Sequence, residues 1–446
     1  MAKRLYELSD QRINLQVFNN SCFTLACKNA NLEFVIWLYK IGKFDIHCEE
    51  DLAFICACEE NNVEVVEWLV SKTNYSDITI KNAFDNTCSK GHLNILKMLF
   101  KFRKSNPNLQ DHPENVISVK SIYTVIKYGH LHVFKWFYDI IPDFITLNQN
   151  LILSCSCTFN RLDILEFFDE TYTNFNYFSF NFNKEDVCKS GYLEVLQWIM
   201  KKKNYPKNYL GSYLENYPRT YLTELHFRLA CANGHYDLAK WIYEINDGKI
   251  NIYFDNNKAF IVTIEKGYNE LFKWLFSLID STNLNSKSKL ISIFFRDSIF
   301  YSNFELAKFI YDSVEIDLKI LRSEDLENLF TSGNIKFVHW VYEITNEFAN
   351  IKFKPEAILF RACVSENLKL VIWTYSKFKI NIRNYIESKF DVLCRIGNTE
   401  IFKYLYSQLD HPIYLNYEIG FAHACEFNNM KTAQFVYGID EKLEKE

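Results

Sequence analysis

The sequence predicts an all-α solenoid of helix-turn-helix repeats, with short β-fingers as the most strand the pattern allows. Three observations predict it. All eight tryptophans (Trp37, Trp68, Trp136, Trp198, Trp241, Trp274, Trp340 and Trp373) fall at one place of a recurring unit. Met98, Phe167, Phe309, Tyr404 and Phe435 fill that place in further copies, and from Trp37 to Phe435 the mean spacing is about 33 residues, a period that marks repeat architectures. A glycine or asparagine stands seven residues before it in most copies, where a helix would end.

Each unit opens with a short apolar stretch such as Ala83-Phe-Asp-Asn-Thr-Cys88. This is the first helix. The turn follows at Gly91, Gly129, Gly191, Gly234, Gly267, Gly333 and Gly397. Glycine takes the left-handed conformation that ends a helix without a Cβ clash. Asn61, Asn160 and Asn428 hold the place in other copies, and asparagine is the next-best residue for it. Ala30, Ser302 and Glu366 depart from the rule. The second helix comes next. Counted from the turn residue as zero, its apolar places are +2, +4, +5, +7 and +8, an arc of roughly 220° at about 100° per residue. That width suits a helix wedged between neighbours on both sides. The tryptophan place, +7, lies at one edge of the arc, where it should cover the seam with an adjacent repeat. Place +6 lies opposite and carries Glu67, Lys97, Lys135, Glu166, Lys240, Lys273, Lys308 and Lys403, a solvated stripe.

The stretch Leu229-Ala-Cys-Ala-Asn-Gly-His-Tyr-Asp-Leu-Ala-Lys-Trp241 resembles the ankyrin-repeat family, and the likeness recurs in register from residue 20 to about 438. The family's Thr-Pro-Leu-His start is missing; the first copy has Phe23-Thr-Leu-Ala-Cys27. Glycines of the connecting hairpin are mostly missing too. Runs such as Phe44-Asp-Ile46, Ile250-Asn-Ile252, Ile316-Asp-Leu318 and Ile380-Asn-Ile382 stand where its arms would be. The Trp-, Asn- and Lys-rich style is similar to the ankyrin proteins of amoeba-infecting giant DNA viruses. The expected organisation is a cap segment over 1–20, about thirteen repeats over 21–438 with insertions near 101–118 and 201–222, and a polar tail over 439–446.

Hydrophobic content of 48% excludes a disordered chain. The formal net charge is −5, and no basic block recurs on one face, so no nucleic-acid partner is expected. No signal-peptide core and no membrane-length apolar run occur. The expected location is intracellular and cytoplasmic, the host cytoplasm for a viral protein.

Nine cysteines sit three residues before the turn: Cys27, Cys58, Cys88, Cys157, Cys188, Cys231, Cys363, Cys394 and Cys425. A small apolar residue suits close helix packing there. Neighbouring copies would lie roughly 10 Å apart, beyond disulfide reach. Cys56-x-Cys58 and Cys155-x-Cys157 lack the spacing of zinc ligands, so no metal or cofactor is expected. Phosphate loops, dinucleotide fingerprints and the hydrolase motifs are missing. His130-Leu-His132 is the one close histidine pair; His130 belongs to the turn and His132 to the surface. His423 reads as a partly buried packing residue. No catalytic residue is assigned.

Function is therefore sought where the repeat breaks. The insert after Trp198 holds Lys201, Lys202, Lys203, Tyr205, Tyr209, Tyr213 and Tyr217. Tyrosines every four residues share one helix face. Either they bury an extra helix on the array, or they form an aromatic, basic docking surface for a protein partner. Exposed first-helix pairs (Glu59-Glu60, Ser89-Lys90, Lys189-Ser190, Glu265-Lys266, Arg395-Ile396) vary in charge, as a recognition surface does. Ankyrin resemblance implies a non-catalytic, monomeric scaffold that binds a protein, a host protein if viral, through a concave face and loops. The alternative is an adaptor that recruits substrates to host ubiquitin-ligase machinery.

Overall fold

The turn residues set the frame, and their backbone angles repeat along the chain. The computed structural model describes residues 21–443 apart from 30, 43, 106–115, 173–181, 203–221, 280–283, 412 and 414. Every regular element among the described residues is a helix. The chain divides into two units, Met1–Arg219 and Thr220–Glu446. The first unit runs from the pair Ser21–Lys28 and Leu32–Gly42 to the pair Lys184–Ser190 and Leu193–Lys202. The second runs from Glu224–Ala232 and Tyr236–Ile245 to Tyr417–Glu426 and Met430–Leu443.

All seven turn glycines have positive φ, between 70° and 79°. Asn61, Asn160 and Asn428 share the conformation, and so do the two departures Ser302 (φ 57°) and Glu366 (φ 59°). A side chain there costs roughly 1–2 kcal/mol; the repeat register overrides that local preference. Ala30 lies outside the described residues. The reversal lets two successive amides return to the end of the first helix: the N–H groups of Gly129 and His130 both donate to Val125 O at 3.0 Å.

Two devices join consecutive repeats inside each unit. The first is a polar rung from the residue after the turn to the first-helix carbonyls of the preceding repeat. Asn62 Nδ2 donates to Cys27 O and Lys28 O, each at 2.7 Å. Arg161 Nε reaches Ile126 O at 3.0 Å, and Asn429 Nδ2 reaches Arg395 O at 2.7 Å. His130 Nε2 makes the same contact with Ser89 O at 2.9 Å.

The second is aromatic. A ring at place +9 meets the +7 ring of the next repeat edge to face. The pairs are Tyr39–Trp68, Phe100–Trp136, Tyr138–Phe167, Tyr243–Trp274, Phe276–Phe309, Tyr311–Trp340, Tyr342–Trp373, Tyr375–Tyr404 and Tyr406–Phe435. The centroids lie 5.1–6.3 Å apart and the planes cross at 74–89°. Such pairs stabilise by about 0.5–1.5 kcal/mol beyond their buried area. Trp68, Trp136, Trp274, Trp340 and Trp373 do cover seams, and all eight tryptophans are half-buried. Place +7 lies at the arc's edge, so one side of each indole stays toward solvent.

The finger segments form no strand among the described residues. Phe44, Ile46, Ile250 and Ile252 are buried instead as anchors under the helices. Three segments carry consecutive left-handed residues: 49–51, 255–257 and 346–348. Helices extend into two of the segments named from the sequence. Helix Leu93–Ser105 continues through 101–105, where buried Arg103 bonds Asp77 Oδ1 at 2.8 Å. The last helix runs on to Leu443, through the start of the polar tail expected from 439.

Asn62→Ala should lower stability by about 1–3 kcal/mol, since it strands two carbonyls. Trp340→Ala should cost ~2–3 kcal/mol, less than a fully buried indole. Hydrogen exchange should rise in the altered repeat and its neighbours and leave distant repeats unchanged.

Candidate interaction surface

Several first helices keep aromatic side chains exposed. In the first unit these include Tyr123 and Tyr128; Tyr123 meets Phe159 edge-on at 5.3 Å. In the second unit Phe300 and Tyr301 end the helix Leu284–Phe300 and cross at 81° with centroids 5.0 Å apart. About two-fifths of each remains exposed: 38% for Phe300 and 39% for Tyr301.

These two rings line a cleft of about 200 Å³ together with Arg296, Asp297, Arg322, Glu324 and Asp325. Arg296 Nη2 pairs with Asp297 Oδ1 at 2.8 Å. Asp325 is buried, and its Oδ2 accepts the Arg322 backbone N–H at 2.8 Å as the helix Ser323–Thr331 starts. Burial raises the Asp325 carboxyl, and nearby Asp297 raises it further; the Arg322 N–H and the guanidinium groups of Arg296 and Arg322 oppose that shift. Tyr301 is also raised, by burial first and then by Glu265 and Asp297, so its phenol stays neutral and able to donate. Tyr301 belongs as well to an adjoining groove of about 430 Å³ with Glu265, Lys266, Ser302, Phe304 and Glu305. The cleft thus offers guanidinium and phenol donors, carboxylate acceptors and two apolar ring edges. Sequence reasoning missed it. Phe300 and Tyr301 stand beside the irregular turn residue Ser302, which was the available signal.

Of the first-helix pairs expected at the surface, Glu60, Lys90, Lys189, Ser190, Glu265, Lys266 and Arg395 are exposed. In the insert, Lys203, Tyr205, Tyr209, Tyr213 and Tyr217 lie outside the described residues. Lys201 and Lys202 end the helix Leu193–Lys202. Lys201 is exposed. Lys202 pairs with Asp169 of the preceding repeat and lies over the Trp198 ring at 5.9 Å. Asp169 occupies place +9, so this ion pair stands where other seams have a ring pair.

The histidines serve the frame. His132 is exposed as expected, and its Nε2 also contacts Gly91 O at 2.8 Å, so it joins repeats as His130 does. His423 is half-buried as expected. One string was not foreseen: Thr73 Oγ1 to His47 Nε2 at 2.8 Å, then His47 Nδ1 to Asp51 Oδ1 at 2.6 Å. Its order resembles nucleophile, base and carboxylate. Asp51, however, uses its other oxygen to accept Thr79 Oγ1 at 2.5 Å, and it is itself one of the left-handed residues 49–51. The string ties that turn to the next repeat. Among the described residues no group of histidine, cysteine and carboxylate side chains is placed to hold a metal ion, and no helix is long and apolar enough to cross a membrane.

The helix pair, its left-handed turn and the two seam devices define a recognisable unit. A family model described as ankyrin repeats (3 copies) matches residues 1–82. This segment is made of ankyrin repeats. A comparison with curated protein sequences returns no match. The ankyrin-type helix pairs continue through both units, with the same turn and the same seam. Ankyrin repeats are in general modules for binding other proteins.

Eight of the nine register cysteines are buried as small packing residues; Cys425, in the last repeat, is exposed, contrary to its register. Burial pushes the Cys27, Cys188, Cys363 and Cys394 thiols from an ordinary value of 9.0 up to about 12. A maleimide should label Cys22 and Cys425 quickly and the eight buried thiols only on unfolding. The folded chain keeps these protons at a pH where the unfolded chain releases them. Their contribution to stability is therefore complete below about pH 9 and lost as pH rises toward 12. Urea midpoints should fall across that interval.

Proposed function

We propose that this chain is a non-catalytic scaffold that binds a partner protein through the exposed ends of its first helices. The cleft at Phe300 and Tyr301 is its principal contact in the second unit. The observation that carries this reading is the exposed ring pair beside two arginines, Arg296 and Arg322. Tyrosine and arginine at the rim of a small cleft are the residue types that dominate protein interfaces. The mixed donors and acceptors suit a partner segment that carries both an apolar anchor and polar groups. The varied charges at Glu60, Lys90, Lys189 and Arg395 would extend the contact to other repeats.

The insert is proposed as a second contact. Lys201 is exposed at its start, and Lys203, Tyr205, Tyr209, Tyr213 and Tyr217 would supply charge and rings. The sequence style shared with giant-virus ankyrin proteins supports a host protein as the partner.

Capture from an amoebal lysate tests the reading. Phe300→Ala and Tyr301→Ala should each weaken the captured complex by about 2 kcal/mol, near thirtyfold, with an unchanged melting curve. A discrete partner that binds both variants as tightly as the parent would exclude the cleft. Ligase subunits in the captured set would select the adaptor reading. Replacing residues 203–221 by a short Gly/Ser loop should spare the fold and lower capture more strongly at low salt. A lowered melting temperature would instead assign that segment to packing.

A further inference from the structure

Two repeats build the cleft at Phe300 and Tyr301, and each contributes a buried carboxylate to its wall. Asp297, on the helix Leu284–Phe300, is 8% exposed; Asp325, on the helix Ser323–Thr331, is 3% exposed. A carboxylate buried so far needs partners for both oxygens. Asp297 Oδ1 is held by Arg296 at 2.8 Å. Asp325 Oδ2 takes the Arg322 backbone N–H, and its Oδ1 accepts no hydrogen bond from the described residues. Burial first, and Asp297 after it, raise the Asp325 carboxyl, so the two acids share one field. Tyr301 stands in that field too: after burial, Glu265 and Asp297 are what raise its phenol. Over the cleft and the adjoining groove five carboxylates face three cations, so the local charge is negative although two arginines line the cleft. The Phe300 and Tyr301 rings cross at 81°. They form two walls at nearly a right angle, and the face of an aromatic ring is negative.

We infer that this cleft takes a basic side chain of the partner protein, an arginine or a lysine, with its cation against the two rings and bonded to Asp325 Oδ1. The inference rests on the cleft being a partner contact and adds the chemistry of the group that enters it. A cation is attracted to the faces of aromatic rings, more strongly where water is displaced. It also supplies the opposite charge that a buried carboxylate lacks. A carboxylate from the partner would instead meet Asp297, Glu324 and Asp325, and it would find Arg296 already engaged by Asp297. Both walls belong to helices packed between neighbours on each side, Phe254–Lys266 before them and Pro355–Val364 after them. A further copy of the repeat would therefore not cover the cleft.

The test titrates the full chain with three short peptides, acetylated and amidated, that differ only in a central arginine, lysine or glutamate between two leucines. Ligand-observed NMR reads the affinity, since it detects dissociation constants up to about 10 mM. At least one basic peptide should bind roughly tenfold tighter than the glutamate peptide. Tyr301→Leu, which removes a ring face, should weaken it roughly fivefold. Asp325→Asn keeps the bond to the Arg322 N–H and removes the charge; it should weaken the basic peptide by about tenfold. Because Asp325 is buried, Glu324→Gln on the exposed rim provides a second charge variant that leaves the core untouched, and it should weaken binding by about twofold. Preference for the glutamate peptide overturns the inference and leaves the cleft as a contact anchored by its arginines. No binding of either basic peptide at about 10 mM overturns it as well. So does basic-peptide binding that survives Tyr301→Leu and Glu324→Gln, since it then lies elsewhere on the chain. Whether the cleft is a contact at all is read separately, by capture with Phe300→Ala and Tyr301→Ala.

Discussion

One backbone angle governs each repeat. A left-handed residue between the two helices reverses the chain within two residues and fixes where the next side chain points. That side chain is the rung: it reaches back to the first-helix carbonyls of the preceding repeat, as Asn62 does at 2.7 Å. The same reversal sets the phase of the second helix, so that the residue seven places on meets the preceding seam. Turn, rung and ring are therefore a single geometric unit. Ser302 and Glu366 accept an unfavourable φ because the alternative would displace both the rung and the ring of that repeat.

The seam itself tolerates substitution as long as its shape is filled. Rings cross edge to face in most seams, with the positive edge of one ring against the negative face of the other. Lysines of the outer stripe add to this: Lys135, Lys273 and Lys403 lie 5.1–6.0 Å over the +7 rings of the next repeat. Asp169 and Lys202 replace the ring pair with an ion pair in one seam. On the first-helix side the requirement is smallness rather than aromaticity. Cysteine or alanine lets neighbouring first helices approach closely, and Gly420 takes this furthest: a Cβ there would stand 2.4 Å from the Phe390 ring.

The periodic parts of this architecture were legible in the sequence because each repeat states them again. The turn glycines, the tryptophan register, the buried cysteines and the exposed +6 stripe all follow from one helix and its spacing. Features that join different repeats were not legible in that way. The partner of Trp340 is Tyr311, 29 residues earlier by number, and no local spacing connects them. Lys202 looked like a free charge until Asp169 was beside it, and the exposed His132 gave no sign of its bond to Gly91 O. The cleft at Asp325 needs a helix start from one repeat and a helix end from another. The left-handed segments 49–51 and 255–257 had only their acidic and asparagine-rich composition as a signal.

The edge-to-face pairs have an optical consequence. Trp68, Trp274, Trp340 and Trp373 each have a tyrosine of the preceding repeat within 5.8 Å of the indole centroid. Over so short a gap a tyrosine excited by ultraviolet light hands its energy to the indole before it can emit. Those four tyrosines then add little emission of their own to that of the indoles. Opening of any one of these seams releases a single tyrosine to glow in its own band. The chain carries a built-in optical gauge for each of these four joints, with no label added.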